Sequence, residues 1–373
     1  MPPGTVAAPG RTLRRMDAAE ILACRLTRQR LAGEPFAAPE EAVRFLVAVQ
    51  SQDHPGARWS LGQRVAGATD AAVAAACDAG SILRTHVLRP TWHFVDPDDI
   101  RWLLALTAPR VRALNAGMER KLEIDDDLAA RSQALFAAAL RDGAFRTRTE
   151  LATILAEGGI AAAGQRLAYV VMRAELDGLI CSGPARGKSQ TYALLEERAP
   201  RARVLPREEA LAELARRFFD GHGPATVRDF ATWSGLTVAG AERGLAMAGD
   251  GIERAVVDGQ TYRFAAGMPP PAATAGTAYL IPEYDEVLLT YKSLTFPDLP
   301  WTRDAATWPD TFYRPVVIDG HRVGTWRRTV GAVRVTMEAA LFATLSPGQM
   351  RALDAAVERY GAFMEKPVDV VFV

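Results

Sequence analysis

Residues 48–59 read Ala-Val-Gln50-Ser51-Gln52-Asp53-His54-Pro55-Gly56-Ala-Arg58-Trp59, a dense polar run directly after an apolar segment. Two amides stand two positions apart, with a carboxylate beside the second. A glutamine has no useful basicity near neutral pH, so it cannot deprotonate a water, but its carbonyl can accept a hydrogen bond from one and orient it. Asp53 is the nearest carboxylate and the reserve candidate for electrostatic stabilisation, with exposed capping as its plainer role. No lysine adjoins the run, so Schiff-base chemistry is not suggested. Pro55 disfavours helix at residue 54. The preceding helix is therefore expected to end there, with Gln50, Gln52 and Asp53 in a distorted last turn that lets both amides face one cavity. From spacing alone the run reads as a helix end capped in water, because such groups must meet solvent, a partner or one another.

The 373 residues carry 44 Lys+Arg and 44 Asp+Glu, so the net charge is zero. That balance excludes a generally cationic nucleic-acid coat protein and a polybasic membrane binder, though not a local basic face. The length is too great for one compact core, and several modules are expected. Cys24, Cys77 and Cys181 lie far apart, and the histidines (His54, His86, His93, His222, His321) form no ligand pair on one helix. A disulfide framework, a metal site and a cofactor are therefore not expected. The Pro/Gly-rich start, MPPGTVAAPGRTLRR, lacks a signal-peptide core, and no apolar run is long enough to span a bilayer. The expectation is a cytoplasmic protein.

Helical periodicity dominates residues 17–250. Ile21, Leu22, Leu26 and Leu31 suit a first helix; Val43, Leu46, Val47 and Val49 suit a second; Trp59–Val65 suits a third. An Ala-rich helix near 70–79 follows. The segments ILRTHVL and TWHFV then flank Arg89-Pro90 as two short strands, and a long helix runs from Asp98 to about Leu122. The order repeats more clearly in the middle of the chain: a helix at 127–141, a capping box at Thr147–Glu150, a helix from Gly164, and a hairpin at 178–195 whose tip, Gly183-Pro-Ala-Arg186-Gly-Lys188, carries two cations. Helix, helix, helix and a basic-tipped hairpin predict a winged helix. A further copy starts at 204, where Thr226-Val-Arg-Asp229-Phe-Ala-Thr-Trp matches Thr147-Arg-Thr-Glu150-Leu-Ala-Thr-Ile at an offset of 79 residues. Its hairpin turns at Asp258-Gly259.

The expected fold is mainly α with β-hairpins (α+β). It comprises a flexible start at 1–16, winged-helix units at 17–122, 123–203 and 204–267, a linker at 268–276, and a small β-rich domain at 277–373. In the last, a strand at Ala278–Ile281, a hairpin at Val316–Trp326, a helix near 347–362 and a closing VDVVFV strand are expected. Trp301, Trp308 and Phe312 in the loop from Phe296 to Tyr313 read as a packing plug.

Several separated stretches carry a resemblance. Ala-Val-Gln50-Ser-Gln52-Asp53 with Pro-Gly-Ala-Arg-Trp, then Arg84-Thr-His-Val-Leu-Arg-Pro-Thr-Trp-His93, resemble the AlkZ-like DNA glycosylases, bacterial tandem winged-helix proteins that excise alkylated bases and unhook interstrand crosslinks. Gly221–Phe230, Ile281–Lys292 and Ile318–Arg328 are similar to that family too, and the resemblance covers roughly residues 20–370. It implies a C-shaped monomer with duplex DNA along its concave face. It also implies that the family's Gln-x-Gln or Gln-x-Asp site falls on Gln50 and Gln52. The middle position of that motif is usually apolar; here it is Ser51.

N-glycosidic hydrolysis passes through an oxocarbenium-like state, with water arriving at C1′. A site that orients water without deprotonating it suffices where the leaving base is already good, as with a cationic N7-alkylpurine. The expected activity is thus a monofunctional glycosylase acting on alkylated purines in duplex DNA, as monoadducts or interstrand crosslinks, with no obligate protein partner. Candidate DNA contacts are Arg84 and Arg89 at the first hairpin, Arg186 and Lys188 on the middle wing, and Arg166 and Arg173 on the helix before it. His93, among apolar neighbours, reads as a satisfied buried histidine, and Arg322, Arg327 and Arg328 form a basic cluster of unassigned orientation. Two non-catalytic alternatives are a winged-helix DNA-binding regulator and a scaffold for protein contacts. A regulator reading a palindrome would dimerise, yet no heptad stretch appears.

Overall fold

A computed structural model describes residues 15–300 and 314–373. Helix α1 (Ala18–Arg28) opens on Asp17, whose carboxylate accepts the Glu20 N–H, and it buries Ile21, Leu22, Cys24 and Leu26. Helix α2 (Pro39–Leu46) has proline in its first turn, where a missing N–H is harmless. It stops at Leu46 because Val47 turns the chain into the left-handed region, at φ 70°, and strand β1 (Ala48–Gln50) follows. The expectation that this helix continues through Val49 to His54 is corrected: the run Ala48-Val-Gln50 is a buried strand. Pro55 opens the next helix, α3 (His54–Gly62), which begins earlier than the predicted Trp59.

Helix α4 (Asp70–Ala79) is capped by Thr69 and closed by Gly80 at φ 85°. Strands β2 (Leu83–His86) and β3 (Trp92–Val95) pair antiparallel, giving a sheet of order β1-β3-β2. The long helix α5 (Ile100–Lys121) completes this part of the chain.

The next stretch runs α6 (Asp126–Leu140), β4 (Arg146–Thr147), α7 (Arg148–Glu157), α8 (Gly164–Leu176), then β5 (Ile180–Arg186) and β6 (Ser189–Leu194). Its core, including Phe136, Leu151, Leu155, Val170, Ile180 and Leu194, is its own. A short α9 (Leu195–Arg198) leads to α10 (Arg207–Gly221), α11 (Val227–Ser234), α12 (Val238–Met247) and the hairpin β7 (Ile252–Val257) and β8 (Gln260–Ala265). Both expected capping boxes form, Thr147 with Glu150 and Thr226 with Asp229. The last part comprises β9 (Ala278–Leu280), α13 (Glu286–Leu289), β10 (Pro315–Ile318), β11 (His321–Val330), β12 (Val335–Leu341), α14 (Pro347–Met364) and β13 (Val368–Phe372). They make a sheet of order β13-β12-β11-β10-β9, antiparallel except for β12–β13, where α14 supplies the crossover that a parallel pair needs. Strand β12 and helix α13 had no counterpart in the sequence expectations. Among the described residues no helix is long and apolar enough to cross a membrane.

The largest cores ignore sequence order. One joins Trp102 and Leu103 of α5 to Phe218, Phe219, Phe230 and Trp233 of α10 and α11. Another joins α2 and α3 to the C-terminal sheet and α14: the Trp59 ring lies 4.9 Å from Tyr360 and 5.1 Å from Phe363. The stretch 268–276 is itself fastened, with the Ala272 N–H donating to Thr27 Oγ1 at 2.9 Å. A buried ion pair crosses the same boundary. Both guanidinium ends of Arg64 donate to Asp285, at 2.6 and 2.8 Å, and Ser60 adds a hydroxyl at 2.7 Å. Neither side chain is exposed. Removing one partner strands the other charge in the interior, so Asp285→Ala is expected to lower stability by about 3–5 kcal/mol in urea unfolding, far more than a surface pair would.

Candidate active site

The polar run at 50–53 sits on a strand end, not on a helical turn. Strand β1 pairs with β3 in the register Ala48↔Val95, Val49↔Phe94 and Gln50↔His93, and the Ser51 N–H extends the ladder to the Trp92 carbonyl at 2.7 Å. Alternation turns the Gln50 and Ser51 side chains to opposite faces, and Gln52 follows in a bend past the strand end, where its Oε1 lies 3.5 Å from the Trp92 N–H. Gln50 is buried, 6% exposed, while Gln52 is exposed at the sheet end.

Long-range partners fix Gln50. Its N–H donates to Glu286 Oε1 at 2.7 Å, and its Oε1 accepts from Arg89 Nη2 at 3.0 Å. A guanidinium has no acceptor, so the atom facing it must be the amide oxygen, and the NH2 is turned away. The same reasoning sets the His93 tautomer. Nε2 lies 3.1 Å from Arg89 and accepts; Nδ1 carries the proton and donates to the Thr91 carbonyl at 3.0 Å. Burial, with Arg89 beside it, holds the His93 pKa well below 6.5, so the ring is neutral. His93 is thus the satisfied buried histidine expected.

Glu286 is fully buried. Its Oε2 accepts from the Trp233 indole at 2.7 Å and from Thr290 Oγ1 at 3.4 Å. Burial pushes its pKa up, opposed by Arg89, the Gln50 N–H and Trp233. Arg89 also donates to the Trp233 carbonyl.

Ser51 points to the opposite side. Arg84 Nε donates to both the Ser51 carbonyl and its Oγ at 3.2 Å, and Nη2 reaches the carbonyl at 3.0 Å. The Arg84 guanidinium lies 4.2 Å from the Trp92 ring centre. Trp92 in turn donates to Glu175 Oε1 at 3.3 Å, and His86 Nδ1 lies 2.5 Å from Glu175 Oε2. Asp53 is partly exposed and 3.6 Å from Arg314, which also meets Glu283 at 3.4 Å. Gly56 leaves space for that carboxylate, since a Cβ there would lie 2.5 Å from Asp53 Oδ2.

The structure brings Gln50, Gln52, Asp53, Arg84 and Arg89 together, and leaves Arg166, Arg173, Arg186 and Lys188 on the second part of the chain. Arg84 and Arg89 are occupied by protein groups. Arg173 is buried, 7% exposed, among Glu119, Asp126 and Asp177. Arg166 donates to the Ala161 and Glu123 carbonyls, and Arg186 to Glu150 at 2.7 Å. Lys188 is exposed at the hairpin tip. In the C-terminal cluster Arg322 pairs with Asp298 and Arg327 with Glu338, while Arg328 sits 5.7 Å from the Trp326 and Tyr360 ring centres. Trp301, Trp308 and Phe312 lie outside the described residues.

Glu286, Trp233 and Glu175 were missed by sequence reasoning. A signal existed for Glu286: Glu283, Asp285 and Glu286 crowd an otherwise apolar stretch, and acids buried there require partners.

The chain matches the sequence model of a family described as "DNA glycosylase AlkZ-like" over residues 43–363. Its fold is similar to the solved structure of Streptomyces sahachiroi DNA glycosylase AlkZ, with a TM-score of 0.75 at 20% identity over 96% of this chain and 100% of that one. No curated protein matches significantly by sequence. The serine between the glutamines is accommodated because Arg84 holds its carbonyl as well as its hydroxyl. Ser51→Ala keeps the carbonyl bonds, so it is expected to lower stability by about 1 kcal/mol or less and to leave base-release kinetics unchanged.

Proposed function

The chain belongs to the family of AlkZ-like DNA glycosylases, and from that membership we propose that it hydrolyses the N-glycosidic bond of cationic N7-alkylated purines in duplex DNA, as monoadducts or interstrand crosslinks. The observation that supports this reading is the pair of amides at the end of β1, one buried and anchored by Arg89 and one exposed, with no lysine adjoining them. The Gln52 carbonyl accepts a hydrogen bond from the attacking water and aims it at C1′. Gln50 gives the second polar contact from a fixed position. An amide does not take a proton from water, so the glycosidic bond must break largely by itself. A cationic N7-alkylpurine does so, because the bonding pair returns to N9 and the base leaves neutral. Water oxygen then bonds to C1′, and its proton passes to solvent.

The Asp53 carboxylate, beside Gln52 and weakly engaged by Arg314, stabilises the positive sugar. Without an amine nucleophile the reaction stops at the abasic site, the monofunctional outcome. We assign DNA contact to Lys188, with Arg166 and Arg186 joining where phosphates replace their present partners. Arg84, Arg89 and Arg173 act instead as internal ties. The protein is read as a cytoplasmic monomer that acts on nucleoid DNA.

Base release from a duplex carrying N7-methylguanine tests the reaction. Wild type is expected to release the base above the spontaneous rate, and Gln50→Ala and Gln52→Ala to be slower by about 100-fold. Equal release by all three, or release at the spontaneous rate alone, sinks the proposal for that lesion. Duplex affinity gives a second check. With most cations already engaged, log Kd should depend weakly on log salt, and Lys188→Ala should reduce the slope by about 1. A steep slope that Lys188→Ala leaves unchanged would place the phosphate contacts elsewhere.

A further inference from the structure

Resting on the water-orienting reading of Gln50 and Gln52, we infer that Glu286 is a positioning residue for base release: its buried carboxylate fixes the Gln50 backbone and cancels the charge that Arg89 brings to the Gln50 amide. Arg89 touches the Gln50 carbonyl oxygen, which places a full positive charge one side chain away from the place where a sugar cation would form. In a site of reduced dielectric that charge opposes both a cationic purine and the oxocarbenium-like state. Glu286 stands on the other side of the same residue, bonded to the Gln50 N–H at 2.7 Å, and its field on Arg89 opposes the effect of burial there.

The other ionisable groups around Glu286 do not substitute for it. His222, at the end of α10, has its Nε2 3.8 Å from Glu286, and burial takes its pKa to about 3, so it is neutral. Asp285 is bound on both oxygens by Arg64. Burial pushes the Tyr291 hydroxyl far above its ordinary range, so it stays protonated. Trp233 and Thr290 hold the carboxylate in place without adding charge. Removing the anion therefore leaves Arg89 uncompensated at the glutamine.

The test uses two duplexes, one with a cationic pyrrolidine abasic analogue and one with the neutral tetrahydrofuran analogue. The ratio of affinities reads the charge preference of the site without breaking any bond. Glu286→Gln keeps the shape and a hydrogen-bond acceptor but not the charge. It is expected to shift the ratio against pyrrolidine by roughly 10-fold, with a lower melting temperature because the buried Arg89 loses its opposing charge. Arg89→Met is expected to shift the ratio the other way.

A merely structural Glu286 would weaken both duplexes together and leave the ratio alone, which overturns the inference. If Glu286→Gln does not fold, an unchanged ratio in Arg89→Met overturns it equally. Failure of wild type to release N7-methylguanine bears on the proposed reaction, whereas the analogue ratio bears on Glu286.

Discussion

Two adjacent buried carboxylates, Asp285 and Glu286, hold the first part of the chain to the last. They stand at the start of α13 and point to different elements, Asp285 to Arg64 beyond α3 and Glu286 to the Gln50 N–H on β1. Ionised groups cannot be left unpaired in the interior, so each acid commits its segment to one position. The Trp59, Tyr360 and Phe363 rings then pack around the junction they define. Such pairs contribute little net stability over an apolar core of equal volume, but they are intolerant of partial assembly. The glutamine strand is set against α13 by the same contacts that close the core.

The zero net charge takes on a physical meaning in this arrangement. Arginine and carboxylate are matched internally: Arg64 with Asp285, Arg173 with three acids, Arg217 and Arg203 with Asp99. Arg84 and Arg89 flank the glutamine run, with Glu175 and Glu286 as their main opposing charges. Those two acids come from α8 and α13, both far beyond the first sheet in sequence. Cations used in this way organise the site and are not offered to phosphate. An even charge count is thus compatible with a DNA enzyme whose hold on undamaged duplex is loose.

What could be read from sequence was local. The capping boxes at Thr147 and Thr226, the turn at Asp258-Gly259 and the strands around Arg89-Pro90 depend on residues a few positions apart. The pairing of Gln50 and Gln52 as candidates was legible from residue type and family resemblance. Their strand setting was not. Val47-Ala-Val49 is a short apolar run, and periodicity cannot separate a buried strand from the end of a helix. Pro55 was read as a stop when it is a start, because proline suits the first turn of a helix as well as the region after one. The acids at 283–286 signalled a need for partners, but which partner Glu286 takes was illegible: its contact with Gln50 spans 236 positions, and no local pattern encodes it.

The switch from helix to strand has a cost in the backbone, and that cost shows what the site requires. Val47 lies at φ 70°, ψ −49°, a region that a β-branched side chain enters at about 1–3 kcal/mol. Its neighbours Leu46, Ala48 and Val49 are fully buried, so core packing and the ladder to β3 hold it there. A helix continued through residue 52 would relieve the strain. It would also turn Gln50 and Gln52 about 200° apart around the axis, since each residue advances about 100°. The strand instead holds Gln50 in the β3 ladder and delivers Gln52 to the exposed bend at its end. The strained residue thus lies just before the segment whose geometry depends on it, and the Glu286 bond to the Gln50 N–H fastens that segment from the far side.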